Sequence, residues 1–254
     1  MTAERVGGDG SPTSLPWKTE DVTGTVYTEV HGDPANPTLI LLHGGGAASR
    51  TWKHQIPGLG DRFHLVAPDL PGFGRSPGPV SVDGSAKAVA DLIERYAPVY
   101  MCGYSMGAFV AAQVAAERPE GIRRLVLCGA NIKPAAVGQR HMRFFRSRYG
   151  WWLMKAVSDL PTRAALLEMV DQVELTDLSG FLPRIQAPTL VLCGRRDRAC
   201  SADAHPIADA IPNATALVVP HTGHSLPVTH AKAFNAIVSG FLTEAGPGLK
   251  IPLS

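Results

Sequence analysis

Six short runs of this chain are dominated by apolar residues: TLILLH at 38–43, FHLVAP at 63–68, PVYMCG at 98–103, RLVLCG at 124–129, TLVLCG at 189–194 and TALVVP at 215–220. Runs this short and this continuous suit strands covered on both faces, and such strands belong to a largely parallel sheet that needs helical crossovers. The intervals between them supply helices. Ser81 can cap a helix running through Tyr96, with Val89, Leu92, Ile93 and Tyr96 on one face and Pro98 beyond its end. Ala108 to Arg118 is Ala-rich and stops before Pro119, Ser201 to Ala210 precedes Pro212, and His230 to Leu242 carries Phe234, Ile237, Val238 and Phe241 at helical spacing. Strand and helix alternating in this way predict a doubly wound α/β domain, with the more evenly alternating GTVYTEVHG at 24–32 as an antiparallel edge.

One interval breaks the rhythm. From Asn131 to about Ile185 no strand-like run occurs, and the pattern reads as two or three helices inserted before the strand at Thr189. The expected organisation is therefore a polar, unstructured tail at 1–14, a core made of 15–130 and 186–254, and a helical cap at 131–185 over the sheet's C-terminal edge. A balance of 24 basic against 22 acidic side chains creates no field that favours nucleic acid or a membrane. No stretch approaches the roughly 20 apolar residues of a membrane span, and the first residues lack the apolar core of a secretion signal, so a cytoplasmic location is expected. Cys102, Cys128 and Cys193 lie in or beside apolar runs and read as buried thiols, while Cys200 reads as an idle loop thiol; no cysteine spacing suggests a metal or a disulfide.

The chemistry starts at Gly103-Tyr104-Ser105-Met106-Gly107, placed after a strand and before an Ala-rich helix. A serine forced through a strand-to-helix turn has its hydroxyl held out toward a substrate, and small residues two positions away let neighbouring backbone approach. Such a hydroxyl needs a base, and His224, in the loop after the last strand run, is the candidate; His221 is its nearest rival. The base needs an acceptor on its other nitrogen, which Asp197 supplies from the loop after TLVLCG. Asp69 lies near the same edge and reads instead as the organiser of its own turn-rich loop. Backbone N–H groups aimed at a developing oxyanion would come from Met106 and from the Gly44-Gly45-Gly46 run, Gly45 first and Gly46 second. Neither phosphate-loop pattern is complete around these glycines.

HGGG at 43–46, PDLPGFGRS at 68–76, GYSMG at 103–107, GRRD at 194–197 and GH at 223–224 fall in one order that resembles the α/β-hydrolase superfamily, in particular small capped serine esterases and C–C bond hydrolases. The resemblance implies a mostly parallel eight-stranded sheet with a small helical cap, an acyl-enzyme on Ser105, no cofactor, no metal, and a substrate cleft between core and cap. It argues against the branches that place an aspartate where Ser105 stands. Hydrolysis of a carboxylic ester, thioester or lactone is the leading expectation. C–C bond hydrolysis or a cofactor-free lyase reaction with the same three residues is the alternative, and a ligand-binding protein without turnover a remote one.

In the cap, Met142, Phe145, Tyr149, Trp152 and Ala156 recur at helical steps, and part of that surface should roof the cleft. Phe145 and Trp152, with Gly44 and Gly46, are the expected substrate contacts, and the substrate is a largely apolar small molecule. Between Gly121 and Ser158 stand eight Arg or Lys and no acid, whereas 159–177 holds five acids and only Arg163. Such a basic stretch could dock an acidic carrier protein; pairing between the two segments explains the same pattern and is favoured. The assembly is expected to be a monomer or a homodimer.

Overall fold

A computed structural model describes residues 18–20, 26–133 and 139–243. The expected tail at 1–14 lies outside the described residues. Eight strands form one sheet: β1 (Lys18–Glu20), β2 (Thr28–His31), β3 (Thr38–Leu42), β4 (His64–Pro68), β5 (Val99–Tyr104), β6 (Ile122–Cys128), β7 (Thr189–Gly194) and β8 (Ala214–Val219). Their spatial order is β1-β2-β4-β3-β5-β6-β7-β8, with β1/β2 and β2/β4 antiparallel and every other pair parallel. All six apolar runs are strands of the parallel part. β2, which falls within the segment expected as the antiparallel edge, is antiparallel but is not the edge, because β1 pairs outside it. Three residues, Lys-Thr-Glu, carry no alternation from which that outer strand could be read.

Around the sheet lie α1 (Ile56–Leu59), α2 (Val82–Tyr96), α3 (Met106–Glu117), α4 (Gln139–Arg146), α5 (Arg148–Val157), α6 (Arg163–Leu175), α7 (Arg198–Ala210), α8 (Leu226–Thr229) and α9 (Ala231–Thr243). Ser81 caps α2 by accepting the Gly84 N–H at 3.1 Å. The two-residue period of the strands sends alternate side chains to opposite faces. Ile40, Leu42, Met101, Leu125 and Val191 pack with Val89 and Leu92 of α2, Val110 and Val114 of α3 and Ile207 of α7. Leu39, Leu41, Cys102, Val126 and Leu190 pack on the other face with Trp52, Phe63, and Phe234 and Val238 of α9. At the β8 edge only Val219 is buried, so this run is less covered than its composition predicts.

Two placements position the site. The chain leaves β3 toward β4 on one side and returns to β5 on the other, so the crevice at the carboxyl ends of β3 and β5 is a topological switch point, where ligands of open α/β sheets bind. Between β6 and β7 the described residues form α4, α5, α6 and two 3-10 turns, Leu178–Gly180 and Leu182–Arg184.

Candidate active site

Ser105 sits at that crevice, between the last residue of β5 and the first of α3. Its backbone has φ 54° and ψ −119°, a conformation that a non-glycine residue adopts only when its surroundings enforce it. The enforcement is visible: the Ser105 N–H donates to the carbonyl of Cys128 at the end of β6, 2.8 Å away. Gly107 lies so close to the end of β3 that a Cβ on it would stand 2.5 Å from the carbonyl oxygen of His43. Replacing Gly107 by Ala should therefore lower unfolding stability by about 3 kcal/mol, since fixed backbone must give way. Urea unfolding measures it, and an unchanged midpoint would show that α3 does not need this approach.

His224 follows β8, and its two ring nitrogens meet two different partners. Nε2 stands 3.0 Å from Ser105 Oγ, and Nδ1 stands 2.5 Å from Asp197 Oδ2. An ionised Asp197 can only accept, so Nδ1 carries the proton and Nε2 is left free to accept from the serine hydroxyl. Burial alone would raise the Asp197 carboxyl, but the hydrogen bonds from His224 and Cys200 outweigh it and hold it below the ordinary carboxylate value. Asp197 is itself fixed as the N-cap of α7, where Oδ1 accepts the Cys200 N–H at 3.5 Å. The Tyr104 ring lies 5.4 Å from the imidazole between ring centroids, and burial pushes its hydroxyl up to about 12, so it stays neutral beside the pair. The His224 side chain is 45% exposed and Asp197 only 12%, so solvent reaches the imidazole while the acid stays covered.

The glycine run after β3 closes the other side. A Cβ on Gly44 would lie 3.1 Å from the Cβ of Ser105, and one on Gly45 would lie 2.7 Å from Met169 Sδ and 3.6 Å from Met106 Sδ. The N–H groups of Gly45 and Met106 have no acceptor among the described residues, and the second opens α3, where the helix dipole favours negative charge. His43 holds the run in place: it is fully buried, donates Nδ1–H to the Gly44 carbonyl at 2.9 Å and accepts the Leu70 N–H on Nε2 at 2.9 Å. Burial lowers its pKa, so it stays neutral. Asp69 Oδ1 accepts the Ser49 N–H at 2.7 Å and Oδ2 the Arg75 N–H at 2.9 Å, the loop-organising role expected of it.

Other expected contacts fall differently. His221 is exposed with φ 61° and is not bonded to Ser105. Phe145 is half-buried against the core. Trp152 is not brought to the glycine run: it is 66% exposed and stacks on Tyr149 at 5.9 Å, because the inward face of α5 carries Trp151 and Met154. Above Gly46 the neighbours are Met154, Ser158 and Leu160, and the Asp159 N–H donates to the Gly46 carbonyl at 2.8 Å. Met154 and Met169 were not among the expected contacts, since nothing in an apolar helical pattern tells which turn overhangs a loop distant in sequence. Cys200, expected in a loop, is buried in the first turn of α7 and donates Sγ–H to Asn131 Oδ1 at 3.3 Å.

Asp197, Cys200 and His224 are the described residues whose metal-capable donor atoms cluster, within 4.8 Å of one another. The acid and imidazole bond each other directly, and burial raises the thiol far above its ordinary value. The charge-segregated segments pair only in part: Arg146 reaches Asp171 at 2.5 Å and Glu174 at 2.6 Å, and Lys133 reaches Asp177 at 2.8 Å, while Arg143, Arg148 and Lys155 make no ion pair among the described residues. A cavity of about 300 Å³ lies elsewhere, between α2, α3 and α6, with Phe109, Gln113 and Gln172 in its walls and none of Ser105, Asp197 and His224.

The chain is similar to known proteins. The model of the alpha/beta hydrolase family matches residues 39–237. A pimeloyl-[acyl-carrier protein] methyl ester esterase of Stenotrophomonas maltophilia is 28% identical, over 83% of this chain and 95% of that protein. A Yersinia enterocolitica protein bearing the name carbamate hydrolase RutD is 27% identical, over 85% of this chain and 92% of its own length. In three dimensions the chain superposes on an enol-lactonase from Burkholderia xenovorans with a TM-score of 0.75 at 22% identity, covering 89% of this chain and 100% of that one, a likeness of fold.

Proposed function

Because the chain belongs to the alpha/beta hydrolase family and is a hydrolase, we propose that it cleaves a carboxylic ester, thioester or lactone of a largely apolar small molecule through an acyl-enzyme on Ser105. The observation that carries this reading is the 3.0 Å separation of His224 Nε2 from Ser105 Oγ, with Asp197 on the opposite nitrogen. His224 takes the hydroxyl proton as Oγ attacks the carbonyl carbon, and the carbonyl oxygen becomes an oxyanion. The N–H groups of Gly45 and Met106 receive it, each such donor contributing roughly 3 kcal/mol to the transition state. The imidazolium then protonates the leaving alcohol or thiol, and a water activated by His224 hydrolyses the acyl-enzyme.

The helices between β6 and β7 act in this reading as a cap whose methionines, Met154 and Met169, with Leu160, overhang the glycine run. Their flexible apolar side chains favour apolar acyl or alcohol groups of varied shape. An acyl group presented on a carrier protein is the second reading, raised by the name of the Stenotrophomonas relative. Labelling with a fluorophosphonate, mapping the adduct by mass spectrometry and screening free and carrier-bound esters tests both. The expected outcome is an adduct on Ser105 and faster turnover of medium-chain or aromatic esters than of short charged ones. Labelling elsewhere, or no labelling, would overturn the nucleophile assignment; preference for short charged esters would overturn the apolar substrate.

A further inference from the structure

The outward face of α5 is unlike the rest of the surface. Of the six large hydrophobic side chains that are exposed among the described residues, four stand on α4 and α5: Phe144, Tyr149, Trp152 and Leu153, with Tyr149 and Trp152 exposed by 64% and 66%. They form one patch, Phe144 edge-on to Tyr149 at 6.0 Å and Tyr149 stacked on Trp152 at 5.9 Å. Within α5, Gly150, Trp151 and Met154 turn to the protein while Tyr149, Trp152, Leu153 and Ala156 share the opposite side. Exposed Arg143, Arg148 and Lys155 accompany them and make no ion pair among the described residues, whereas Arg146 is consumed by Asp171 and Glu174. No acid stands in the sequence between Gly121 and Ser158.

We propose that this face of α4 and α5 docks on an anionic lipid surface. Its occupant must accept aromatic rings and Arg and Lys side chains together. A second copy of this chain, meeting face to face, would set three unpaired cations against three more. The headgroup layer of an anionic bilayer offers both partners at the right depth: Trp and Tyr rings settle at the apolar boundary, and Lys and Arg extend to phosphates. No helix among the described residues is long and apolar enough to cross a membrane. Because the inward face of the same helix carries Met154 onto Gly46, docking there would set the glycine run near the lipid surface.

Cosedimentation of the full chain with phosphatidylcholine vesicles, with and without phosphatidylglycerol, tests this without any turnover and so stands apart from the reading of Ser105. The expected result is binding to the anionic vesicles only, weakened by salt, with a blue shift of tryptophan emission that Trp152→Ala abolishes. Replacing Arg143, Arg148 and Lys155 by Gln should cost roughly fivefold in partitioning for each cation removed. Thermal unfolding of each variant, matching that of the unaltered chain, separates lost docking from lost folding. Absence of vesicle binding overturns the proposal, as does binding that the charge variant retains in full. Dimerisation abolished by Trp152→Ala, or capture of an acidic carrier protein without vesicle binding, would reassign the face to a protein partner.

Discussion

Ser105→Ala should lower kcat for ester hydrolysis by roughly 10⁴- to 10⁶-fold while leaving KM within a few-fold, because it deletes the proposed nucleophile and nothing that holds the substrate. The glycine run, His43 and the methionines above it do not depend on the Ser105 hydroxyl: His43 is held by the Gly44 carbonyl and the Leu70 N–H, and Gly46 by the Asp159 N–H. On the proposed mechanism the N–H donors at Gly45 and Met106 remain in the variant and give a residual rate over water. Stability should change little. Alanine keeps the φ of 54° as strained as serine does, and the backbone bond to Cys128 that enforces it involves no side-chain atom. Steady-state kinetics on a chromogenic ester, with a burst of acyl-enzyme in the unaltered chain and none in the variant, measure the effect. A loss below about tenfold would mean that a different group attacks, since nucleophile removal costs far more in every relay of this kind.

The parts of this molecule that could be read from its residues are those whose signal is local. A strand buried on both faces must be apolar throughout, so TLILL and TLVLCG announce themselves, and the turn between GY and MG can follow only from a strand meeting a helix. Asp197 and His224 were legible for a related reason: each lies just past a strand, and a parallel sheet brings all such loops to one edge. What escaped notice depends on contacts between distant segments. β1 is a strand only because β2 offers it a partner. The start of α7 at Arg198 follows from Asp197 serving as cap and histidine acceptor at once, two roles on two carboxylate oxygens. Trp152 and Met154 are two residues apart on one helix, and composition makes both plausible over a cleft; only the rotation of α5 against Gly46 decides between them.

Asp197→Asn should lower kcat by roughly 10⁴-fold with the structure intact, a loss that arises from a single proton. An ionised carboxylate accepts only, so Asp197 Oδ2 at 2.5 Å keeps the proton on His224 Nδ1 and leaves Nε2 as the base toward Ser105. An asparagine amide can donate to Nδ1, which moves the ring proton to Nε2 and leaves the serine without an acceptor. The same change should alter how stability responds to acid. Burial raises the Asp197 carboxyl, but its hydrogen bonds lower it further, so its folded value lies below its unfolded one. The ionised form therefore stabilises the fold above the ordinary carboxylate range, and that contribution is lost as the pH falls through the folded value. The asparagine variant has no such titration at this position, so its urea midpoint should fall less steeply between neutral and acidic pH than that of the unaltered chain. Kinetics and unfolding thus read two consequences of one hydrogen bond. If kcat falls less than tenfold while nitrogen NMR still finds the His224 proton on Nδ1, another acceptor fixes the tautomer and Asp197 is only the cap of α7.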